Sequence, residues 1–381
     1  MIKVAFITRS TIYTVPGGDT IQAVQTARHL TQMGISAEIK LSNEIINYQN
    51  YDLLHFFNLT RPADILHHSQ KAGIPYVIST ILCNYGEYDK YHRKGVGRLL
   101  RYLSTDAIEY IKSIARYLLG RDSLASPSYA WLGQRKSIKS ILSRAAMILP
   151  NSASEYRRVI ESYQHQVNHL VVPNGADQHM FQYDASIKKD EMLVVCAARI
   201  EGIKNQLNLI RALNNTPYRL LLIGTHAPNQ LAYYQECRSI AADNITFIDQ
   251  VPQHELIKYY RKAKVHILPS WFETTGLSSI EAALMGCNIV TSDKGDVREY
   301  FADDAFYCDP SSPQSILAAV KKASAATYNE NLRHRILTKY TWEQAASQTL
   351  IAYQSVLKHE TVYSMEPYEY LKYERVIANQ R

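Results

Sequence analysis

The sequence predicts an α/β protein built from two doubly wound domains that face one interdomain cleft. Short apolar segments alternate with amphipathic helical patterns in the first part of the chain, and the same alternation returns in the second part. This alternation is typical of a parallel sheet covered by helices on both faces. A chain of 381 residues is also too long for one ordinary core and long enough for two domains.

The first domain is predicted over residues 1–175, and it opens with a strand, a loop and a helix. The strand is Ile2–Thr8, the loop contains Gly17 and Gly18, and the helical pattern covers Ile21–Met33. Further strands are expected at Ile35–Leu41, Tyr51–Phe57, Tyr76–Ile81, Ala146–Leu149 and Leu170–Val172. Residues 84–144 interrupt this rhythm with long helical patterns at Gly97–Leu119 and Ile138–Ala146.

The second domain is predicted over residues 176–341, after a turn at Pro173-Asn174-Gly175. Its strands are expected at Leu193–Ala198, Arg219–Ile223, Ile245–Ile248, Val265–Leu268 and Asn288–Thr291. Residues 342–381 follow as a strong helix over Trp342–Leu357 and a tail, which are expected to return towards the first domain.

Composition describes a soluble globular protein, since 46% of the residues are hydrophobic and 20% are charged. No cleavage region follows the apolar start, and no segment reaches about 18 uncharged apolar residues, so we expect a cytoplasmic protein. The five cysteines show no metal-ligand spacing and are expected to be reduced and mostly buried.

A loop between a buried strand and a helix carries the most specific pattern. The strand Val265–Leu268 ends, Glu273 follows on the loop, and a helix opens near Gly276. A helix start at the carboxyl end of a strand offers unpaired N–H groups and a positive dipole end to a phosphate. Glu281 lies about one turn into this helix. The alternative is that Ser278 and Glu281 form a capping box, which needs no ligand.

Two further loops follow predicted strands. Arg199 and Lys204, five residues apart after Leu193–Ala198, are able to converge on a diphosphate, although two solvated surface cations are the alternative. Gly17 and Gly18 after the first strand are able to admit a phosphate or a sugar, and a plain tight turn is the alternative there. The GxGxxG pattern of dinucleotide enzymes is not present.

Together these loops resemble the retaining glycosyltransferases of family four, which have the GT-B fold of two facing Rossmann-like domains. The resemblance covers roughly residues 1–80 and 145–357. It rests on the two glutamates with seven residues between them in LPSWFETTGLSSIEAALMGCNIV, on the basic loop ARIEGIKNQ, on the turn VVPNGAD and on the helix start YTWEQAA.

The resemblance implies roles for individual residues. Arg199 and Lys204 would hold the donor diphosphate and balance the charge of the leaving group, and Glu273 would contact the donor sugar. Glu281 would accept hydrogen bonds from the ribose. The donor-binding set that the resemblance implies is Gly17, Gly18, Asn205, Thr275, Gly276, Leu277, Ser278 and Glu281. No metal and no cofactor are expected, and the nucleotide sugar is a substrate.

The chain departs from the family pattern after its fourth predicted strand. Many members carry a histidine there, whereas residues 79–85 read STILCNY. We therefore assign no catalytic base, and His55, after the third strand, is interpreted as a structural histidine. In a front-face retaining reaction the leaving phosphate is able to take the acceptor proton, so the departure is compatible with activity.

Residues 84–144 hold 12 Lys/Arg and 5 Asp/Glu, which equals the whole excess charge of +7. Gly97–Leu119 interleaves apolar and basic residues, and one interpretation is an amphipathic helix with a solvated basic face. The other is docking on an anionic membrane surface, at its inner face, near a glycan or lipid-linked acceptor. Nucleic acid is not expected as a partner, because no nucleic-acid motif accompanies the charge.

The leading hypothesis is an enzyme that transfers a hexose from a UDP- or GDP-sugar during synthesis of a surface polysaccharide. A second hypothesis is a non-catalytic nucleotide-sugar-binding subunit that recruits a partner enzyme. A nucleotide-sugar epimerase of the same architecture is the third, and the basic loop together with the paired glutamates argues against it.

Overall fold

The computed structural model describes residues 1–89, 102–118 and 126–358. The chain divides into two compact units: unit 1 holds Met1–Leu82, Asp106–Asn174 and Trp342–Arg381, and unit 2 holds Cys83–Thr105 and Gly175–Thr341. The sequence assigned all of residues 84–144 to the first domain. The structure corrects this for the segment from Cys83, because Glu87 in that segment forms an ion pair with Lys294 of unit 2.

Unit 1 contains a five-stranded parallel sheet in the order β2-β1-β3-β4-β5. The strands are β1 Lys3–Thr8, β2 Ser36–Leu41, β3 Leu53–Phe57, β4 Tyr76–Ser79 and β5 Met147–Leu149. The first five helices are α1 Gly18–Gln32, α2 Pro62–Ala72, α3 Thr105–Leu118, α4 Pro127–Leu142 and α5 Ala153–Tyr163, and Tyr48–Asn50 is a 3-10 turn.

The strands of unit 1 are buried on both faces, as their continuous apolar sequences indicate. Phe56 of β3, Ile78 of β4 and Ile148 of β5 pack in one cluster with the inner side of the helices, and all three are essentially inaccessible to solvent. Gly73 ends α2 in the left-handed conformation, with φ of 65°, which favours glycine. The chain thereby turns from α2 directly into β4.

Three predictions for unit 1 are wrong or incomplete. Leu170–Val172 is not a strand: its amides bond to Ile148 and Pro150, but Pro173 lacks the N–H donor that a longer ladder needs. Of the pattern Ile138–Ala146, residues 138–142 form the end of the longer helix α4, which contains a kink at Gly133 with φ of 67°, and residues 143–146 follow the helix. Of the pattern Gly97–Leu119, Thr105–Leu118 forms α3, residues 102–104 precede this helix, and the remaining positions lie outside the described residues.

Unit 2 contains a six-stranded parallel sheet in the order β11-β10-β9-β6-β7-β8. The strands are β6 Asp190–Ala197, β7 Arg219–Ile223, β8 Ile245–Ile248, β9 Ala263–Leu268, β10 Asn288–Ser292 and β11 Phe306–Cys308. The helices are α6 Gln206–Leu213, α7 Leu231–Ile240, α8 Gln253–Lys262, α9 Leu277–Leu284, α10 Val297–Phe301, α11 Pro313–Ala325 and α12 Glu330–Lys339, with Gly202–Lys204 as a 3-10 turn.

Two hydrophobic clusters cover the two faces of the unit 2 sheet. Val194 and Cys196 of β6 point into the cluster that holds α6 and α11, while Val195 points into the cluster that holds α9 and α10. Strand β11, which is only three residues long, was not predicted. The last helix, α13 Trp342–Lys358, belongs to unit 1, and the tail beyond it lies outside the described residues.

Candidate functional site

The order of strands in unit 2 defines a switch point at its first strand. Strand β6 lies between β9 on one side and β7 on the other, so successive crossovers leave it in opposite directions. In open α/β sheets, ligands bind beyond the carboxyl ends of the strands at such a point. The loop that follows β6 carries Arg199 and Lys204, and the loop that follows β9 carries Glu273, as the sequence predicts.

The Lys204 and Glu273 side chains join these two loops. The Lys204 Nζ lies 2.6 Å from the Glu273 Oε1, and the Ser270 hydroxyl donates to the same oxygen at 2.5 Å. Only 7% of the Glu273 side chain and 22% of the Lys204 side chain are exposed. Burial opposes the charge of Lys204, but Glu273 and Glu201 outweigh this effect and raise the pKa of Lys204 above its ordinary value.

The other cation of the basic loop has an acidic neighbour as well. The Arg199 Nη2 lies 3.0 Å from the Glu201 Oε1, and the Arg199 side chain is 42% exposed. Asn205 adopts the left-handed conformation, and its Nδ2 donates to the carbonyls of Pro269 and Pro310 at 3.0 and 2.7 Å. This amide group therefore fastens the basic loop to its neighbours, and its predicted contact with the donor stays a prediction.

The loop that carries Glu273 is supported from behind by the loop after β10. The Asp296 amide donates to the Glu273 carbonyl at 2.8 Å, and the Glu273 amide donates to the Lys294 carbonyl at 3.4 Å. Gly295 lies between them with φ of 87°, and a Cβ at this position would overlap the Glu273 carbonyl oxygen. The sequence reasoning missed Gly295, although the pair Lys-Gly after a strand is a usable turn signal.

Helix α9 begins at the carboxyl end of the β9 loop, as predicted. Gly276 is its N-cap, with φ of 72°, and its carbonyl accepts from the amides of Ser279 and Ile280. Among the described residues, no acceptor pairs with the amides of Gly276, Leu277 and Ser278. Three successive N–H groups at the positive end of a helix dipole form an arrangement that suits an anionic oxygen.

The capping-box alternative for Ser278 and Glu281 is wrong, because the N-cap is Gly276 and Glu281 has another partner. The Glu281 Oε1 accepts from the Gln253 Nε2 at 2.5 Å, and Glu281 is only 5% exposed. Burial raises the pKa of Glu281 to about 7, and the bond from Gln253 opposes this shift. No local pattern indicates this role for Gln253, which lies 28 residues earlier in the chain.

Residues 178–339, which include every strand and helix of unit 2 described above, match the family described as glycosyl transferases group 1. This match covers less than half of the chain.

Known proteins similar to this chain include D-inositol 3-phosphate glycosyltransferases. The protein from Nocardia farcinica is 27% identical over 188 residues, which are 44% of this chain and 42% of that protein. The protein from Streptosporangium roseum is 23% identical over 335 residues, 75% of each chain. The match to the first of these thus spans less than half of the relative's length.

Solved structures confirm the predicted GT-B fold with two Rossmann-like domains. Sucrose-phosphate synthase from Thermosynechococcus elongatus superposes with a TM-score of 0.73 at 18% identity, over 94% of this chain and 100% of that chain. Anabaena HepE in complex with UDP-glucose superposes with a TM-score of 0.67 at 15% identity, over 93% of this chain and 100% of that chain.

In unit 1, Gly17 and Gly18 lie at the beginning of helix α1. Gly17 is the N-cap and Gly18 the first helical residue. Arg9 holds the preceding loop with a bidentate pair to Asp19, at 2.6 and 3.0 Å, and with a bond to the Val15 carbonyl. Burial opposes the charge of Asp19, but Arg9 outweighs it and lowers the Asp19 pKa. The sequence reasoning missed this clamp, whose partners are ten residues apart.

His55 has the buried surroundings of a structural histidine. Its Nδ1 lies 2.6 Å from the Tyr353 hydroxyl and its Nε2 lies 2.9 Å from the Ser79 hydroxyl. Burial lowers the pKa of His55 to about 3, so the ring is neutral at physiological pH. Through these contacts, His55 of β3 joins β4 to helix α13.

Among the residues that the structure describes, no cluster of three or more His, Cys, Asp or Glu side chains is arranged to hold a metal ion. None of the helices in the described ranges is both long enough and apolar enough to cross a membrane.

Proposed function

We propose that this protein is a retaining, metal-independent hexosyltransferase that uses a nucleoside diphosphate sugar as donor. The carrying observation is the convergence of Lys204, Glu273 and the free amides of helix α9 at the switch point of unit 2. A diphosphate there would meet the amides at one end and the two cations at the other. Anabaena HepE, which has the same fold, was solved with UDP-glucose, and this favours a UDP-sugar over a GDP-sugar.

Each charged group has a distinct task in the proposed reaction. Lys204 and Arg199 stabilise the negative charge that develops on the leaving diphosphate, and the α9 amides add hydrogen bonds. Glu273 accepts from hydroxyls of the donor sugar, and Glu281 accepts from the ribose. The bond from the anomeric carbon to the phosphate oxygen breaks and a bond to the acceptor oxygen forms on the same face. The acceptor proton passes to the departing phosphate oxygen.

A thermal-shift screen of the purified protein against UDP, GDP, ADP, TDP and CMP, with and without magnesium, tests the donor site. A ligand present at about 100 times its Kd adds about 2.7 kcal/mol of stability, which is visible as a rise in Tm. We expect a metal-independent shift with one diphosphate and its loss in Arg199→Ala. No shift with any nucleotide would contradict the donor assignment.

Turnover distinguishes the enzyme from a non-catalytic nucleotide-sugar-binding subunit. We expect transfer to a glycan or lipid-linked acceptor, with the anomeric configuration of the donor retained in the product, as read from the coupling constant of the anomeric proton. Glu273→Ala and Lys204→Ala should abolish transfer. Donor binding without transfer and without slow donor hydrolysis would favour the non-catalytic subunit.

We further propose that helices α3 and α4 dock the enzyme on the anionic, cytoplasmic face of a membrane that carries its acceptor during polysaccharide synthesis. Trp131 is 92% exposed and Leu118 is 76% exposed, which is unusual for such large apolar side chains. Lys136 and Lys139 follow Trp131 on α4. Apolar and aromatic side chains beside lysines suit an interface with anionic lipid.

Intrinsic fluorescence tests this docking directly. The other two tryptophans, Trp271 and Trp342, are 5% and 1% exposed, so a change on adding vesicles reports on Trp131. We expect a blue shift with vesicles of phosphatidylglycerol and phosphatidylcholine, a weaker one with phosphatidylcholine alone, and none for Trp131→Ala. Equal spectra with and without anionic vesicles would contradict the proposal.

A further inference from the structure

A buried histidine, His266 of strand β9, lies against the first turn of helix α9. Its neighbours Val265 and Ile267 pack in the cluster that holds α6 and α11. Because side chains alternate along a strand, His266 points to the opposite face of the sheet, which α9 covers. The residue is completely inaccessible to solvent, and burial lowers the pKa of His266 to about 3, so the imidazole is neutral.

The imidazole contacts α9 through one hydroxyl group. The His266 Nδ1 lies 3.3 Å from the Ser279 Oγ. The other ring nitrogen, Nε2, is buried and has no hydrogen-bond partner among the described residues. The Tyr260 ring meets the imidazole edge to face, with 5.7 Å between the ring centroids, and contributes no hydrogen bond to it. Within the described part of the chain, Ser279 is therefore the hydrogen-bond partner of this imidazole.

Ser279 belongs to the turn that carries the unpaired amides of α9. Its own amide donates to the Gly276 carbonyl at 2.8 Å, and this bond closes the first turn of the helix. Its Oγ lies 3.5 Å from the position that a Cβ of Gly276 would occupy, so the hydroxyl lies directly beside the N-cap residue. The contact with His266 thus joins strand β9 to the four residues 276–279, three of which present the free amides.

An imidazole is a costly side chain at a position without solvent access. A leucine would pack in the same cluster without burying a polar atom, whereas the Nε2 of His266 is buried without compensation from the described residues. What the histidine adds over leucine is the contact with the Ser279 hydroxyl. This contact restrains the first turn of α9 relative to the sheet.

We propose that His266 is a positioning residue for the donor diphosphate: through the Ser279 hydroxyl, it holds the first turn of α9 so that the amides of this turn are aimed at the phosphate oxygens. This inference rests on the proposed function. Hydrogen bonds weaken steeply when donor and acceptor are misaligned, so a small rotation of the turn lowers the affinity for a diphosphate. His266 acts through Ser279 and touches no substrate atom itself.

Two replacements of His266 separate positioning from stability. His266→Leu fills the apolar cluster but removes the contact with Ser279, whereas the amide of His266→Asn places a polar atom where the Nδ1 lies now and leaves part of the space empty. In titration calorimetry with UDP, or with GDP if the nucleotide screen selects it, we expect about 5-fold weaker binding by His266→Leu. His266→Asn should bind the nucleotide more tightly than His266→Leu, although it should be the less stable of the two in urea unfolding. A residue that matters only for stability would give the same order in both measurements.

Removal of the hydroxyl tests the same contact from the other side. Ser279→Ala should weaken nucleotide binding about as much as His266→Leu, and the double variant should bind no more weakly than either single variant, because both changes remove one contact. Ser324→Ala is the matched control: this serine is also buried, and its hydroxyl donates to the Glu191 carbonyl near the start of β6, at the end of the strands opposite the donor loops. It should lose stability and keep the nucleotide affinity of the wild-type protein.

The outcomes separate this inference from the proposed function. Thermal melts without nucleotide check folding, and Ser279→Ala, which removes a single oxygen atom, keeps the test open if a His266 variant does not fold. If His266→Leu and Ser279→Ala bind the nucleotide as the wild-type protein does, while Arg199→Ala loses binding, the donor site stands and the role of His266 is refuted. Additive losses in the double variant would refute it as well. If the wild-type protein binds no nucleoside diphosphate, the proposed function fails, and this inference fails with it.

Discussion

Glu281 is a buried carboxyl whose ionisation should weaken the fold at neutral pH, and Glu281→Gln should remove that cost. Burial raises the pKa of Glu281 from 4.5 to about 7. At about 1.4 kcal/mol per pH unit, this interval corresponds to about 3 kcal/mol of free energy of unfolding. Because the side chain is only 5% exposed, solvent screening does little to reduce the figure.

The direction of the pH dependence follows from the raised pKa. Below pH 4.5 the carboxyl is protonated in both the folded and the unfolded state, and it makes no difference to stability. Between 4.5 and about 7 the unfolded chain releases the proton while the folded protein keeps it, so the free energy of unfolding falls. Glutamine resembles the protonated form, so the variant should be more stable than the wild-type protein by up to about 3 kcal/mol at pH 8.

Urea unfolding followed by circular dichroism between pH 5 and 8.5 measures this difference. We expect the advantage of Glu281→Gln to shrink steadily towards pH 5, and to be absent in Glu191→Gln, which changes an exposed glutamate at the start of β6. A stability difference that is the same at pH 5 and pH 8 would refute the reasoning, because it would not come from ionisation.

The same carboxylate should matter in the opposite sense for donor binding. If Glu281 accepts hydrogen bonds from the ribose in its ionised form, nucleotide binding near pH 7 must release a proton. Calorimetry in buffers of different ionisation enthalpy would detect this proton, and Glu281→Gln should abolish its release while weakening binding. Stability gained and affinity lost in one variant is the pattern of a residue kept for function.

Three further predictions concern the framework of the two units. Lys204→Met should lower the free energy of unfolding by about 3 kcal/mol, because it leaves Glu273 buried without its cation, and adding Glu273→Gln should restore part of the loss in urea unfolding. Gly295→Ala should lower both Tm and UDP affinity. Gly34→Ala is the control for the overlap with the Glu273 carbonyl, because Gly34 has a similar φ of 85° but no atom within 4 Å of an added Cβ. It should lower the free energy of unfolding by about 1–2 kcal/mol through backbone strain alone. Glu155→Gln should lower the free energy of unfolding in urea by about 1–3 kcal/mol, because the carboxylate accepts hydrogen bonds from the amides of Leu82 and Asn151, and the new NH2 group would face one of these donors. The control Glu161→Gln, at an exposed position, should leave the free energy of unfolding unchanged.

Local patterns were sufficient to predict much of the fold. The apolar runs Arg219–Ile223 and Ile245–Ile248 became β7 and β8 with the predicted bounds, because buried parallel strands are continuous apolar segments. Gly276 was found because a helix start leaves a local signal. Strand β11 was missed because three residues are too few to establish a period.

Contacts between distant segments account for what the sequence did not predict. Gln253 was missed as the partner of Glu281 because its identity depends on how the start of α8 packs against α9. His266 was missed because a single polar residue within an apolar strand does not reveal which helix its side chain contacts. Lys204 and Glu273 were each found on their loops, yet their ion pair became apparent only when the sheet order brought β6 beside β9.

The pairing of both cations with carboxylates leads to one more prediction, on Glu201. A phosphate that approaches Arg199 must compete with the Glu201 Oε1, which lies 3.0 Å from the guanidinium. Because Arg199 is 42% exposed, this pair is worth at most about 1 kcal/mol. Glu201→Gln should therefore tighten UDP binding by up to about 5-fold in calorimetry, whereas the same change in an Arg199→Ala background should bring no gain. Weaker binding by Glu201→Gln would mean that the carboxylate orients Arg199 for the diphosphate instead of competing with it.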